Sequence, residues 1–339
     1  MNLIESCMAT AKANPVRVVF PDAIDERAIL AAQQLARQGW AHPVLLANPF
    51  ELRRYCKQRG LTLGDVPVID PQHSPWLDTY VEHYCNHRPG VLPEEASAQM
   101  RDPLWFAAMM VAQGDIDLCV AGNLAATAAV LRAGMRVIGL AEGMKTLSSI
   151  IFMVSPDGNR VLGFADCGVV PEPTVEQLAD IAISAADNYR SVTGNEARVA
   201  MLSFSTKGSA KHPSVDAVRQ ATELARSRRP DLLLDGEFQF DAAIAPSVAA
   251  QKAPDSPLQG NANVFVFPSL EAGNIGFKIA QRLGKYAALG PLIQGLRLPM
   301  HDLSRGCSTS DMVQTTLLAM QMSRLVAPGS ATCVAMKEA

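Results

Sequence analysis

Apolar positions recur along the chain with two periods, and the switching between them predicts its elements. Leu3, Ile4, Cys7, Met8 and Ala11 share one helical face, and Pro15 ends that segment. Val16–Phe20 reads as a strand, with Pro21-Asp22 as its turn. Asp25–Gln38 reads as a helix, with Ile29, Leu30 and Leu35 on one face and Gly39 closing it. Pro43–Ala47 is the next strand. Strand, helix and strand in this order predict a parallel sheet with helices on its faces. Residues 71–103, rich in His, Pro and charge, predict a loop and then a helix. Trp105–Gln113 is helical, Leu118–Ala121 a buried strand, and Gly122-Asn123 a turn into the helix Ala125–Ala133.

After Lys145 the pattern changes. Ile150–Val154 and Arg160–Phe164 flank Ser155-Pro156-Asp157-Gly158 and predict a hairpin-like pair. Thr174 and Gln177 have capping-box spacing ahead of Leu178, Ile181 and Ile183. Arg198–Phe204, Leu232–Leu234 and Asn263–Phe267 are strands, and Glu271–Leu283 is loop, then helix. Gly290–Gly295 is a strand end and turn, and Met312–Met322 a helix carrying Val313, Leu317 and Met320. No internal repeat interrupts the order.

Composition narrows the class. A chain of 339 residues exceeds what one core usually serves, so two domains of roughly 150 residues are expected. Hydrophobic residues at 48% and charged ones at 19% fit a globular protein with large buried elements. A net charge of −3 argues against a nucleic-acid or membrane surface as main partner, so any anion site is local. Seven cysteines, from Cys7 to Cys333, form no CxxC pair, which fits free thiols in a reducing compartment. No metal is expected, since His83 and His87 at i,i+4 have no supporting Cys or second carboxylate motif. No apolar run reaches membrane-spanning length and no signal-peptide core leads the chain, so the expected location is cytoplasmic.

The densest chemistry lies in His301-Asp302-Leu303-Ser304-Arg305-Gly306-Cys307-Ser308-Thr309-Ser310-Asp311, where a loop becomes a helix. Backbone N–H groups at a helix start favour anions. Arg305 can grip a phosphate with two parallel hydrogen bonds, and Gly306 lets the backbone approach a ligand. Ser304 can donate to a developing oxyanion, and Asp311 can accept a proton. Asp311 has a second reading, because Ser308 and Asp311 fit a capping box; one carboxylate can do both. Ser205-Thr206-Lys207-Gly208-Ser209-Ala210 follows a strand and is either a phosphate-holding loop or an ordinary turn. It lacks Walker A spacing. Further on, Asp235-Gly236-Glu237 and Asp241 put carboxylates beside a glycine.

Six ordered motifs carry a resemblance. They are Phe20–Arg27, Phe164–Cys167, Pro171–Ala179, Ser203–Ala210, Gly273–Leu283 and Asp302–Ser308. Together they resemble the phosphate acetyltransferases over nearly the whole chain, in the short single-module form, most like the version tied to ethanolamine utilisation. The resemblance implies reversible reaction of acetyl-CoA with phosphate to give acetyl phosphate and CoA. It implies an α/β fold of two α/β/α domains with the active site in the cleft between them, similar to isocitrate and isopropylmalate dehydrogenases. The first domain would span 1–148 and be completed by 297–339; the second would be 149–296.

By the same resemblance Asp311 is the base for the CoA thiol, and Ser304 stabilises the tetrahedral transition state. Arg305, Arg282 and Arg132 bind phosphate or acyl phosphate, although Ala133 stands where the family often has Pro. Ser205, Thr206, Lys207, Gly208 and Lys278 are assigned to CoA or substrate. The family's Arg-Lys-x-Lys-Gly is replaced by Asn86-His87-Arg88-Pro89-Gly90, so either Arg88 does the missing arginine's work or nothing does. The expected chemistry is direct transfer in a ternary complex without any cofactor, CoA being a substrate. Cys167 and Cys307 are rival covalent nucleophiles, but neither has an evident His partner. A homodimer is expected. The N-terminal helix either packs on the body or is an address to a bacterial microcompartment and its shell or core proteins. Rival readings are phosphate butyryltransferase, a metal-dependent hydroxy-acid dehydrogenase and a non-catalytic CoA sensor.

Overall fold

Eleven strands build two sheets in the computed structural model, which describes residues 2–323. The first part of the chain gives β1 (Val16–Phe20), β2 (Ala41–Leu46), β3 (Val68–Ile69) and β4 (Leu118–Ala121). The middle gives β5 (Ser148–Val154), β6 (Val161–Ala165), β7 (Arg198–Leu202), β8 (Leu233–Phe238), β9 (Val264–Val266) and β10 (Ala287–Gln294). Then β11 (Met300–Asp302) returns to the first sheet. That sheet has the order β11-β4-β1-β2-β3 and is parallel throughout. The second has the order β10-β5-β6-β9-β7-β8. Its pairs β10–β5 and β5–β6 are antiparallel and the rest parallel. Near-continuous apolar runs such as Val18-Val19-Phe20 and Leu118–Ala121 are fully buried, as strands covered on both faces require.

Several elements differ from expectation. Residues 71–103 hold two helices, Leu77–His87 and Pro93–Met100, and not a loop with one. Leu77, Tyr80 and Tyr84 turn one face of the first helix inward, but the polar residues among and after them, Asp78, Glu82, His83 and Asn86, blur its period. Helices Pro49–Arg59 and Pro213–Arg228, both opening on a Pro at the first turn, did not stand out, because their exposed faces are dense in charge. Gly290–Gly295 is mostly strand, with a bulge between Leu289 and Leu292, and His301-Asp302 belong to β11 and not to a loop.

One helix ties the sheets together. Thr309–Met322 buries Met312, Val313, Thr315, Thr316, Leu317, Leu318, Ala319, Met320 and Met322, so it is apolar nearly all round. It packs against helices Leu3–Ala13, Glu26–Arg37 and Val175–Thr193, and against β10 and β4. Helix Leu3–Ala13 is closed at its start by an Asn2–Glu5 capping box and buries Leu3, Cys7 and Ala11. Its apolar row is therefore spent on the body.

Candidate active site

Two adjoining cavities meet at the loop Leu303–Ser308, between β11 and helix Thr309–Met322. One, of about 290 Å³, is lined by Ser304, Asp311, Arg282 and Gln281 among others. The other, of about 430 Å³, is lined by Ser304, Arg305, Lys278, Asp302, Thr127 and Cys167. Elements of both sheets contribute, and the larger cavity lies beyond the C-terminal ends of β4, β6 and β11, where open α/β sheets take their ligands. A groove of about 600 Å³ lies at the opposite end of β6 and β7, and no expected site residue lines it.

Arg27 sets the position of the loop. Its Nη1 donates to the carbonyls of Arg305 (2.8 Å) and Cys307 (2.7 Å), and Nη2 to the carbonyl of Asn123 (2.9 Å). Nη2 also meets Asp25 Oδ2 at 2.6 Å. Asp25 in turn caps helix Glu26–Arg37 by accepting the Arg27 N–H at 2.8 Å. Burial acts to raise the Asp25 carboxyl, but hydrogen bonds from Arg27 and Asn123 outweigh it and hold the group below the usual carboxylate range. Beside this, Asp22 Oδ2 accepts the N–H groups of Gly122, Leu124 and Ala125 and shapes the turn after β4. That turn has no room for a side chain: Gly122 has φ +95°, and a Cβ there would lie 2.1 Å from Asp302 Oδ1.

Asp311 carries both of its expected features. Its Oδ2 accepts the Ser308 N–H at 2.8 Å while its own N–H donates to Ser308 Oγ at 3.1 Å, completing the capping box, and the side chain also lines the smaller cavity. Ser304 lies in the wall shared by both cavities, and its Oγ accepts the Gly306 N–H at 3.2 Å. Arg305 and Lys278 line the larger cavity and Arg282 the smaller. Lys278 Nζ donates to Asn274 Oδ1 at 2.7 Å. The thiols of Cys167 and Cys307 are buried, and burial pushes both above their ordinary range, which disfavours a thiolate.

Other expected residues are not brought here. Arg132 is exposed on helix Thr127–Ala133 and lines neither cavity. Arg88 donates from Nε to the Arg136 carbonyl (2.9 Å) and from Nη2 to the Met135 carbonyl (3.0 Å), so it secures the π-helical turn Gly134–Ile138. Ser205, Thr206, Lys207 and Gly208 also line neither cavity. Ser205 Oγ and the Gly208 N–H both donate to Glu237 Oε1 at 2.8 Å. Lys207 Nζ is 2.6 Å from Asp235 Oδ1, and Thr206 Oγ1 accepts the Gln239 N–H. Asp235 and Glu237 are almost fully buried, so this loop's polar groups serve to satisfy two interior carboxylates.

Asp302 enters the sequence reading only as a member of its motif, but its surroundings set it apart. It is 3% exposed, lines the larger cavity and accepts the Thr127 hydroxyl at 2.6 Å on Oδ2. Arg27 closes the Phe20–Arg27 motif, but nothing along the chain shows that its partners are carbonyls 278 and 280 residues away.

The Ser304 hydroxyl, the carboxylates of Asp302 and Asp311 and three cations surround two joined cavities between α/β sheets, an arrangement suited to group transfer. Residues 2–320 match the phosphate acetyl/butaryl transferase family, and the chain belongs to it. A phosphate acetyltransferase from Thermoanaerobacterium thermosaccharolyticum is 44% identical over 319 residues, 92% of this chain and 97% of that protein. EutD phosphotransacetylase from Staphylococcus aureus superposes with a TM-score of 0.88 at 38% identity, covering 95% of this chain and 98% of that one. A putative 4-hydroxythreonine-4-phosphate dehydrogenase from Salmonella typhimurium shares the fold alone, with a TM-score of 0.56 at 13% identity over 91% of this chain and 99% of that one. The expected family and dehydrogenase-like architecture are thus borne out.

The Asp302 carboxyl yields a prediction on stability. Burial pushes it up from 3.8 to about 6, against the pull of Thr127 and Arg305. The folded state therefore holds this proton more tightly than the unfolded chain. Its contribution is fully present below pH 3.8 and is lost as pH rises through about 6. At about 1.4 kcal/mol per pH unit the loss is about 3 kcal/mol. Asp302→Asn cannot ionise and keeps an acceptor for Thr127. Urea unfolding should show its stability relative to wild type rising by up to about 3 kcal/mol between about pH 4 and pH 7. A difference independent of pH contradicts this.

Proposed function

We propose that this protein is a phosphate acetyltransferase that interconverts acetyl-CoA and phosphate with acetyl phosphate and CoA. The observation that carries the reading is the joining of the two cavities at Ser304, with Asp311 and Arg282 on one side and Arg305 and Lys278 on the other. In the direction of CoA acetylation, Arg305 and Lys278 hold the phosphate of acetyl phosphate. Arg282 and Asp311 face the thiol. A free thiol with a pKa of roughly 8.5 is only a few per cent ionised at neutral pH, so a positioned carboxylate that takes its proton speeds attack. The S–C bond forms, the carbonyl oxygen becomes an oxyanion that the Ser304 hydroxyl stabilises, and phosphate leaves as the C–O bond breaks. The transfer is direct. No cofactor and no acyl-enzyme enters the scheme, and the raised thiols of Cys167 and Cys307 support leaving them out.

The same reading includes a cytoplasmic homodimer, gathered into a microcompartment where cells build one. The location follows from the motif resemblance to the ethanolamine-utilisation form, and a neighbour named EutD phosphotransacetylase is consistent with that form. Ile275, Ile279 and Leu283, exposed at four-residue intervals on and just after helix Leu270–Arg282, support the dimer. Among the described residues, no helix is long and apolar enough to cross a membrane. The buried apolar row of helix Leu3–Ala13 favours packing over an address. Two observations would remove these points: a monomer mass in solution, and diffuse fluorescence from a reporter carrying residues 1–20 in cells with assembled shells.

Formation of acetyl phosphate from acetyl-CoA and phosphate tests the activity, and two variants test the mechanism. Asp311→Asn retains an oxygen for the Ser308 N–H, so its stability should fall by at most ~1 kcal/mol. It cannot act as a base, so kcat should fall by roughly 10²–10⁴-fold and recover as pH approaches the thiol's own pKa. Ser304→Ala should lose a comparable amount that does not recover with pH, since the oxyanion forms at every pH. Near-wild-type turnover by folded Asp311→Asn would exclude Asp311 as the base.

A further inference from the structure

Each cavity has its own charged groups, but the wall they share is of different material. The residues common to both are Ile151, Phe277, Pro291 and Ser304. Three of the four are apolar. A phosphate and a CoA thiol both call for charged or polar partners, and those lie on either side of this wall. The acyl group that passes between them must sit at the wall itself, with its carbonyl within reach of Ser304 and its alkyl end against the apolar trio. We propose that Ile151, Phe277 and Pro291 form an acyl throat that limits the transferred group to acetyl. The proposal rests on the transferase reading above and adds the determinant of chain length.

The throat is stiff for reasons that can be named. Ile151 lies on β5, hydrogen-bonded between β6 and β10, and is 2% exposed. On β10, Leu289 faces Phe152 and Leu292 faces Ile150, so the bulge of Gly290 and Pro291 falls opposite Ile151. Bulges re-aim side chains beside active sites, and here the side chain is a ring with no free rotamers. Phe277 comes from helix Leu270–Arg282. That helix lies hard against the loop after β6: a Cβ on Gly273 would be 2.3 Å from the Asp166 carbonyl oxygen and 3.2 Å from Cys167 Sγ. The inner side of Phe277 packs on the apolar cluster that holds Phe164, Phe265 and Phe267. A buried β-branched side chain and a proline give little way to added methylenes, and the half-buried phenyl ring is the wall's most adjustable member.

The test compares kcat/KM for acetyl-CoA and butyryl-CoA, with phosphate as acceptor, in wild type, Phe277→Ala and Ile151→Val. An apolar pocket separates substrates by about 10–200-fold per methylene, so wild type should favour acetyl-CoA by at least ~10-fold. Phe277→Ala should raise the butyryl-to-acetyl ratio by ~10-fold or more, with the KM for phosphate within ~2-fold of wild type. Ile151→Val removes a single methylene, keeps the strand former and should shift the ratio the same way by a smaller factor, so the question stands even if Phe277→Ala does not fold. An unchanged ratio in the folded variants, or a wild type that takes butyryl-CoA as well as acetyl-CoA, overturns the throat while leaving the acyltransferase in place. A wild type inactive on both overturns the transferase reading and the throat with it.

Discussion

A single guanidinium holds the cleft in shape. Arg27 is paired with Asp25 at the start of helix Glu26–Arg37 and spends its remaining donors on the carbonyls of Asn123, Arg305 and Cys307. Those carbonyls belong to the turn after β4 and the loop after β11, two neighbouring parallel strands, so the guanidinium adds a direct tie to the bonds that Asp22 and Thr127 already make there. The planar fork fits this work because its five donors point in fixed directions. Ser304, Arg305 and Asp311 are themselves exposed, so their placement derives from backbone held on the buried side.

The two carboxylates near this loop then take different duties. Asp311 sits at the solvent-facing N-terminus of helix Thr309–Met322, where the helix dipole favours an anion and the Ser308 N–H occupies one oxygen. Asp302 lies beneath it, buried and facing the larger cavity, and only the Thr127 hydroxyl donates to it among the described residues. Burial makes its ionised form costly. Rigid apolar residues fill the space between the charged halves. In this arrangement charged groups line the two ends of the joined cavities, and β5, β10 and helix Leu270–Arg282 supply the wall between them.

Much of this was legible in the residues. Strands with short, mainly apolar runs between turn signals, such as Val16–Phe20 and Leu118–Ala121, have the bounds that the sequence predicts. Ser304, Arg305, Asp311, Arg282 and Lys278 were identified by motif, and the fold brings all five to the joined cavities. What stayed hidden depends on long-range pairing. The hydroxyls and lysine of Ser205–Gly208 show no sign along the chain of the bonds they make to the buried Asp235 and Glu237, about 30 residues on. Arg88 likewise gives no sign in its motif that it donates to the carbonyls of Met135 and Arg136. Arg27 was in view from the start, but partners made of backbone leave no trace in side-chain chemistry.

The central claim is that this clamp, and not substrate, presets the loop that carries Ser304 and Asp311. Steady-state kinetics of Arg27→Lys test it most directly. An ammonium keeps a positive charge beside Asp25 and spares the fold, but it cannot satisfy one carboxylate and three carbonyls together. Displacement of catalytic groups by about 1 Å costs up to ~10²-fold, so the account predicts a folded enzyme with kcat lowered by about that factor. A folded Arg27→Lys protein with wild-type kcat would contradict it.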